Sequence, residues 1–142
     1  MIATTVWKKE LEFDGQSESG HSLVFDAGAA HANGPSPMES VLMGLCACTS
    51  VDVVSILHKK REPLISLAVS AVAEQAATPP SVFTKIRLTY VIGGAVSKKA
   101  AEDAVGLSKN KYCSVSKMLE KAAQIDFRIE YANDSGVGVS SK

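Results

Sequence analysis

The stretch VLMGLCACTSVDVVSILHKK, from Val41 to Lys60, decides the fold because it is the most apolar part of the chain. It follows Ser36 and Pro37, a favourable helix start, since serine caps free backbone N–H groups and proline is tolerated at the first helical position. Basic residues and then Pro63 mark its end. Apolar positions occur all round the predicted helix, which must therefore be buried on every side.

The segments around this helix alternate in the manner of strands or carry helical periodicity. Two strands are predicted before it, at 4–13 and 21–28, separated by the turn GQSESG. After it, residues 64–75 and 82–94 form an antiparallel pair through a Pro-Pro turn, and helices at 97–110 and 114–124 precede a strand at 125–132. This order predicts an α+β fold in one domain, residues 1–132, with a flexible tail at 133–142.

One small sheet covers only one side of a helix that is apolar all round. A chain of 142 residues has little left to cover the other side. We therefore predict that a second copy of the chain covers it, which makes the protein a homodimer.

The charge balance and the first residues of the chain indicate which partners and which location to expect. Fifteen basic residues balance fifteen acidic ones, which argues against nucleic acid and anionic membranes as partners. The start of the chain lacks a secretory signal pattern, so a reducing cytoplasm is the expected location. The apolar run to Leu57 is shorter than the ~20 residues that a bilayer requires, and it contains Asp52, so we expect it to be buried in protein.

The three cysteines could be core residues, metal ligands or reactive thiols. Cys46 and Cys48 are two residues apart, about 200° around a helix, and cannot bind one metal ion together. A zinc site would have to combine one of them with Cys113 and histidines, and these residues do not show the paired spacing of structural zinc ligands. No metal is therefore expected. Cys46 is most simply a small buried hydrophobe.

Local sequence favours Cys113 as the thiolate. It begins a predicted helix, where free N–H groups and the helix dipole favour an anion, and it lies near Lys109, Lys111 and Lys117. Cys48 has Asp52 one helical turn later on nearly the same face, where the carboxylate opposes a second negative charge.

Two segments together resemble the cysteine boxes of the OsmC/Ohr family of thiol-dependent organic hydroperoxide reductases. They are SPMESVLMGLCACTSVDVVSIL and YCSVSKML, and the SPME and DVVSIL portions resemble the YhfA-like branch. The resemblance implies an intertwined homodimer with antiparallel sheets packed on long central helices, active sites at the subunit interface, and a role in the oxidative stress response.

The resemblance also implies a peroxidase reaction. Cys48 takes the attacking role, reduces a small organic hydroperoxide to an alcohol and becomes a sulfenic acid. Cys113 resolves it to a disulfide, which a small dithiol or a lipoyl-type protein reduces. No metal or organic cofactor is implied.

The chain departs from the family pattern in its supporting residues. Typical members have a glutamate ten residues before the attacking cysteine, where this chain has Met38. Glu39 is next to it and projects from the opposite helix face. The family's early-loop arginine is missing, since the first arginine is Arg61, and His21 is the potential cation of that loop. Asp52 completes the set of candidate supporting residues.

Two other interpretations remain open. Arg87 or Arg128 could reach the thiols from a strand, including across the dimer. The alternative function is a non-catalytic family member that binds a small apolar ligand or a partner protein at the dimer groove, with structural or slowly redox-sensing cysteines. Met38 and Met43 would suit such a groove, since methionine adapts to varied apolar shapes. A metal site built from Cys48, Cys113 and a histidine ranks last.

Overall fold

A computed structural model describes residues 1–132, and the predicted tail at 133–142 lies outside the described residues. The described chain forms two compact units, Met1–Met43 and a second that begins at Gly44. Helix α1, Pro37–Lys59, continues from the first unit into the second.

The N-terminal unit contains a three-stranded antiparallel sheet of order β1-β2-β3. Its strands are β1 (Ala3–Lys9), β2 (Glu12–Ser17) and β3 (Ser22–Asp26). The prediction of two strands here is wrong, because the segment 4–13 folds back on itself at Glu10 and Leu11. Glu10 adopts a φ of 47°, and its carbonyl oxygen accepts a hydrogen bond of 2.9 Å from the Trp7 indole. The turn was missed because glutamate is not a residue that signals positive φ.

Helix α1 begins with a reciprocal cap, as the Ser36–Pro37 pair predicts. The Glu39 N–H donates to Ser36 Oγ at 3.1 Å, and the Ser36 N–H donates to Glu39 Oε1 at 2.8 Å. This capping box satisfies two of the free N–H groups of the first turn. The helix ends at Lys59, before Arg61 takes a φ of 59°.

The C-terminal unit is built on a second three-stranded sheet of order β4-β5-β6. Strands β4 (Leu64–Gln75) and β5 (Phe83–Gly94) pair antiparallel, as predicted, and β6 (Gln124–Tyr131) pairs parallel to β5. A parallel pair needs a long crossover, which the helical segment between β5 and β6 supplies. The central position of β5 explains why Ile86, Leu88 and Tyr90 are fully or almost fully buried.

Three helical segments form the crossover. They are α2 (Lys98–Leu107), a π-helix (Ser108–Tyr112) and α3 (Ser114–Leu119). The predicted Ser97 cap is confirmed, since its hydroxyl accepts the Ala100 N–H at 3.1 Å. The π-helix was not predicted.

One stripe of α1 is buried within the chain, and other sides are not. The buried residues recur every four positions: Leu45, Thr49, Val53 and Leu57. By contrast, Met43 is 50% exposed and Val51 is 65% exposed. The helix is long and apolar enough to cross a membrane, a test that core helices of soluble proteins also pass. That a second copy of the chain covers the exposed apolar side of α1 stays a prediction.

Candidate functional site

The C-terminal unit brings together two of the three cysteines. Cys48 lies half-buried on α1, and Cys113 is fully buried as the residue that caps α3. The Cys48 thiol is close enough to contribute to the raised pKa of Cys113, although the two residues are far apart in sequence. The two residues to which the resemblance assigned roles therefore share one site.

The pKa of Cys113 is raised to about 12, mainly by burial and to a smaller extent by the neighbouring Cys48 thiol and the Asp52 carboxylate. The Ser116 N–H donates to Cys113 Sγ at 3.3 Å and offsets only part of this effect. The raised pKa of Cys113 therefore opposes the thiolate that local sequence favours at this residue. A single N–H at the start of a six-residue helix does not compensate for removal of the sulfur from water.

The neighbouring lysines do not reverse this result. The Lys117 amine is 3.2 Å from Glu120 Oε2, and the Lys111 amine lies 5.3 Å from the centre of the Tyr112 ring. Neither amine is among the main causes of the pKa shift of Cys113. Closeness in sequence did not bring these charges to the sulfur.

A buried polar chain runs beside the thiol pair. Thr49 Oγ1 lies 2.7 Å from the Tyr90 hydroxyl and 2.7 Å from Ser108 Oγ, which donates to Asp52 Oδ2 at 2.8 Å. Tyr90, Thr49 and Ser108 are each at most 1% exposed. Sequence reasoning noted Asp52 as a charged residue in an apolar helix but did not find Tyr90 or Ser108.

The direction of this chain follows from its carboxylate end. An ionised carboxylate only accepts, so the single hydroxyl proton of Ser108 goes to Asp52. Thr49 must then donate to Ser108, and Tyr90 must donate to Thr49. Tyr90 must be protonated to donate this bond, and burial favours that state because it raises the pKa of Tyr90 to about 12.

Asp52 stands where the buried chain meets solvent. An open groove of about 430 Å³ is bordered by Asp52, Ser55, Lys59, Leu107 and Tyr112, among others. The Asp52 carboxylate is one of the groups that raise the pKa of Cys113. Its predicted opposition to a Cys48 thiolate stays a prediction.

Cys46 is the third cysteine of the C-terminal unit. It is half-buried, and burial raises the pKa of its thiol. Its backbone carbonyl oxygen accepts a hydrogen bond of 2.6 Å from Ser50 Oγ. Within residues 1–132, no group of three or more His, Cys, Asp or Glu side chains is placed to hold a metal ion.

Three of the predicted supporting residues belong to the N-terminal unit. Met38 and His21 are exposed there, and the Glu39 carboxylate is held by the capping box with Ser36. Their proposed roles beside Cys48 stay predictions.

The two strand arginines face away from the buried chain. Arg87 alternates with Leu88 and Tyr90 along β5, so its side chain lies on the opposite face of the sheet. Arg128 is the register partner of Thr89 and shares the Arg87 face, where both line one shallow pocket. Neither arginine therefore approaches the thiols from within its own C-terminal unit.

The fold and the thiol pair define a class of α+β proteins with two facing cysteines, and comparison with known proteins gives the family. Residues 30–128 match the family model described as OsmC-like protein. Protein YhfA of Escherichia coli K12 is 43% identical over 131 residues, which cover 92% of this chain and 97% of that protein. The chain belongs to the OsmC-like family, which is a family of soluble domains.

Solved structures agree with this assignment. A hypothetical protein from Aquifex aeolicus VF5 superposes with a TM-score of 0.80 at 28% identity, covering 92% of this chain and 96% of that chain. An organic hydroperoxide resistance protein from Legionella pneumophila superposes with a TM-score of 0.71 at 15% identity, covering 91% and 95%. At that identity the second likeness shows the fold alone.

Proposed function

We propose that the protein is a thiol-dependent peroxidase that reduces organic hydroperoxides through Cys48 and Cys113. The observation that carries this proposal is the meeting of these two thiols in a mostly apolar setting. The Cys48 thiolate attacks the peroxide, ROOH becomes ROH after it takes up a proton, and Cys48 becomes a sulfenic acid. The Cys113 thiol then forms the disulfide, and its proton leaves with the hydroxyl group as water.

The protonation of Cys113 supports this division of roles. A thiol with a pKa of about 12 is a poor first nucleophile near neutral pH, because the thiolate is the reactive form. It is suited to the second step, where the leaving hydroxyl group accepts its proton. The family neighbour named for organic hydroperoxide resistance supports the choice of substrate class.

The proposal includes a cytoplasmic homodimer reduced by a dithiol or a lipoyl-type protein. The exposed apolar side of α1, with Met43 and Val51, supports a second copy, and OsmC family proteins are commonly homodimers. Sedimentation at micromolar concentration should show a dimer. A stable monomer there would contradict this part of the proposal.

Stopped reactions with cumene hydroperoxide and with hydrogen peroxide test the chemistry. Intact mass and peptide mapping should show the loss of two thiols and a Cys48–Cys113 bridge, faster with the organic peroxide. Cys48→Ser should abolish the reaction, Cys113→Ser should stop it at an oxidised Cys48, and Cys46→Ser should leave the bridge intact. Three free thiols after minutes would refute the proposal.

A second candidate is a non-catalytic protein that binds an apolar ligand or a partner. The orientation of Arg87 and Arg128 favours it, because neither guanidinium stabilises a Cys48 thiolate from within the C-terminal unit. Native mass spectrometry of the purified protein distinguishes the two. A retained ligand together with peroxide-resistant thiols would support this candidate.

A further inference from the structure

We propose that Ser108 is a positioning residue that holds Cys113 against Cys48. Its consequence for turnover rests on the proposed function, but the positioning itself does not require peroxidase activity. The inference begins from the place of Ser108 at the junction between α2 and the π-helix, with its side chain fully buried.

Ser108 fixes the Cys113 segment at two points. Its carbonyl oxygen accepts the Cys113 N–H at 2.8 Å, which closes the π-helix onto the cysteine. Its hydroxyl group lies 2.7 Å from Thr49 Oγ1 and donates to Asp52 Oδ2 at 2.8 Å. One residue thus joins the backbone of the resolving cysteine to the helix that carries the attacking one.

The two α1 partners of Ser108 both follow the attacking cysteine in sequence. Thr49 directly follows Cys48, and Asp52 is one helical turn further on. Apart from the contact between the Cys48 and Cys113 thiols, the side-chain hydrogen bonds that connect α1 with the segment 108–119 within residues 1–132 are those of Ser108. Apolar packing can hold two elements together, but the direction of these bonds fixes their register.

The polar character of this junction is unusual for a core. A buried polar chain contributes little net stability compared with apolar packing, yet it specifies one arrangement when every member is satisfied. Here Tyr90 starts the chain and the Asp52 carboxylate ends it, so each hydroxyl has a defined donor and acceptor role. The π-helix that begins at Ser108 fits this interpretation, since such turns occur frequently at functional sites.

Positioning should act on the second thiol step and not on the first. Disulfide formation requires the Cys113 sulfur to meet an oxidised Cys48, and displacements of about 1 Å can slow such steps by about 100-fold. Ser108→Ala removes both links to α1 and keeps the backbone bond to Cys113. We expect closure of the bridge to slow by about 10- to 100-fold, while the initial modification of Cys48 changes by less than about threefold.

Diamide provides a test that does not depend on peroxidase activity. The Cys48 thiolate adds to diamide, and Cys113 then displaces the adduct, so that diamide takes up two electrons and two protons and the disulfide forms. Acid-quenched intact mass resolves the adduct from the bridge, in a Cys46→Ser background. The adduct should accumulate in Ser108→Ala and not in the parent protein.

Ser66→Ala is the matched control, because Ser66 Oγ is also buried and has no hydrogen-bond partner. It should close the bridge at the parental rate. Ser108→Thr, which keeps a hydroxyl group, should recover much of the lost rate. If Ser108→Ala does not fold, Thr49→Val decides the matter, because it removes one of the two links and should slow closure to an intermediate degree.

The outcomes separate this inference from the proposed function. A parent protein that forms the bridge with diamide but not with cumene hydroperoxide refutes the peroxidase and leaves the positioning role intact. A folded Ser108→Ala variant that closes the bridge within twofold of the parental rate, with either oxidant, overturns the positioning role. Equal slowing of both thiol steps would overturn it as well, since that result indicates a general structural defect.

Discussion

Replacing Thr49 with valine should destabilise the protein although valine has nearly the same shape. Thr49 is 1% exposed, and its hydroxyl group lies 2.7 Å from both the Tyr90 and the Ser108 oxygens. Valine leaves no cavity, so the cost arises from the lost hydrogen bonds. The Tyr90 hydroxyl group would be left in the core without its acceptor.

The magnitude follows from that unpaired donor. A buried polar group that loses its partner costs about 1–3 kcal/mol, and Ser108 loses a donor as well. The added methyl group recovers part of this cost, so we expect the free energy of unfolding to fall by about 2 kcal/mol. For a chain of this size, that corresponds to a melting temperature lower by roughly 4–8 °C.

Urea denaturation of a double-mutant cycle measures the effect. Tyr90→Phe removes the hydroxyl group that Thr49→Val leaves unpaired, so the double variant should lose at least about 1 kcal/mol less than the sum of the single losses. Thr49→Ser keeps the hydroxyl group and serves as the control. All variants are compared at one protein concentration, because association would shift stability by mass action. A Thr49→Val loss below about 0.5 kcal/mol, or additive single losses, would refute the hydrogen-bond chain.

Three further results are expected. Because the folded state raises the pKa of Cys113 and of Tyr90 to about 12, from 9.0 and 10.0, stability is full below pH 9 and falls between pH 9 and 12. Cys113→Ser should flatten that fall by up to about 1.4 kcal/mol per pH unit in urea titrations, and parallel profiles would contradict this. Gly93→Ala would place a Cβ 2.2 Å from Ser66 Oγ and should cost about 1–3 kcal/mol in thermal unfolding. Adding Ser66→Ala should restore most of the loss, and no recovery would refute the clash. Ser36→Ala should cost about 1 kcal/mol by removing the α1 cap, and Ser36→Asp, which retains an acceptor, should cost less if the cap is responsible.

Where periodicity was clear, the sequence predicted the secondary structure correctly. The two long strands of the C-terminal unit alternate over many residues, and α1 has a cap at one end and a proline after the other. The N-terminal hairpin was missed because its turn at Glu10 depends on a positive φ that carries no glycine or asparagine signal. The π-helix at Ser108 was missed for a related reason, since its residues do not differ from those of an ordinary helix end.

The thiol pair was predicted from the resemblance, whereas local electrostatics favoured a Cys113 thiolate that burial opposes. The helix N-terminus and nearby lysines favour a charged Cys113, but these effects are modest and depend on exposure. Burial of Cys113 is set by the packing of distant elements and outweighs them. A short stretch of sequence shows the helix N-terminus and the lysines, which favour a thiolate, but it does not show the burial that opposes one.

The buried chain of hydrogen bonds from Tyr90 to Asp52 could be predicted only in part from the sequence. Thr49 lies on the one buried stripe of α1, and a buried hydroxyl group requires a partner, so the existence of a polar contact could have been inferred. Its partners could not, because Tyr90 comes from β5 and Ser108 from the end of α2. Tyr90 shares the inward register of its strand, which makes it a candidate but not a unique one. Three elements must pack before their hydroxyl groups form one chain, and Asp52 then fixes the direction of every bond in it.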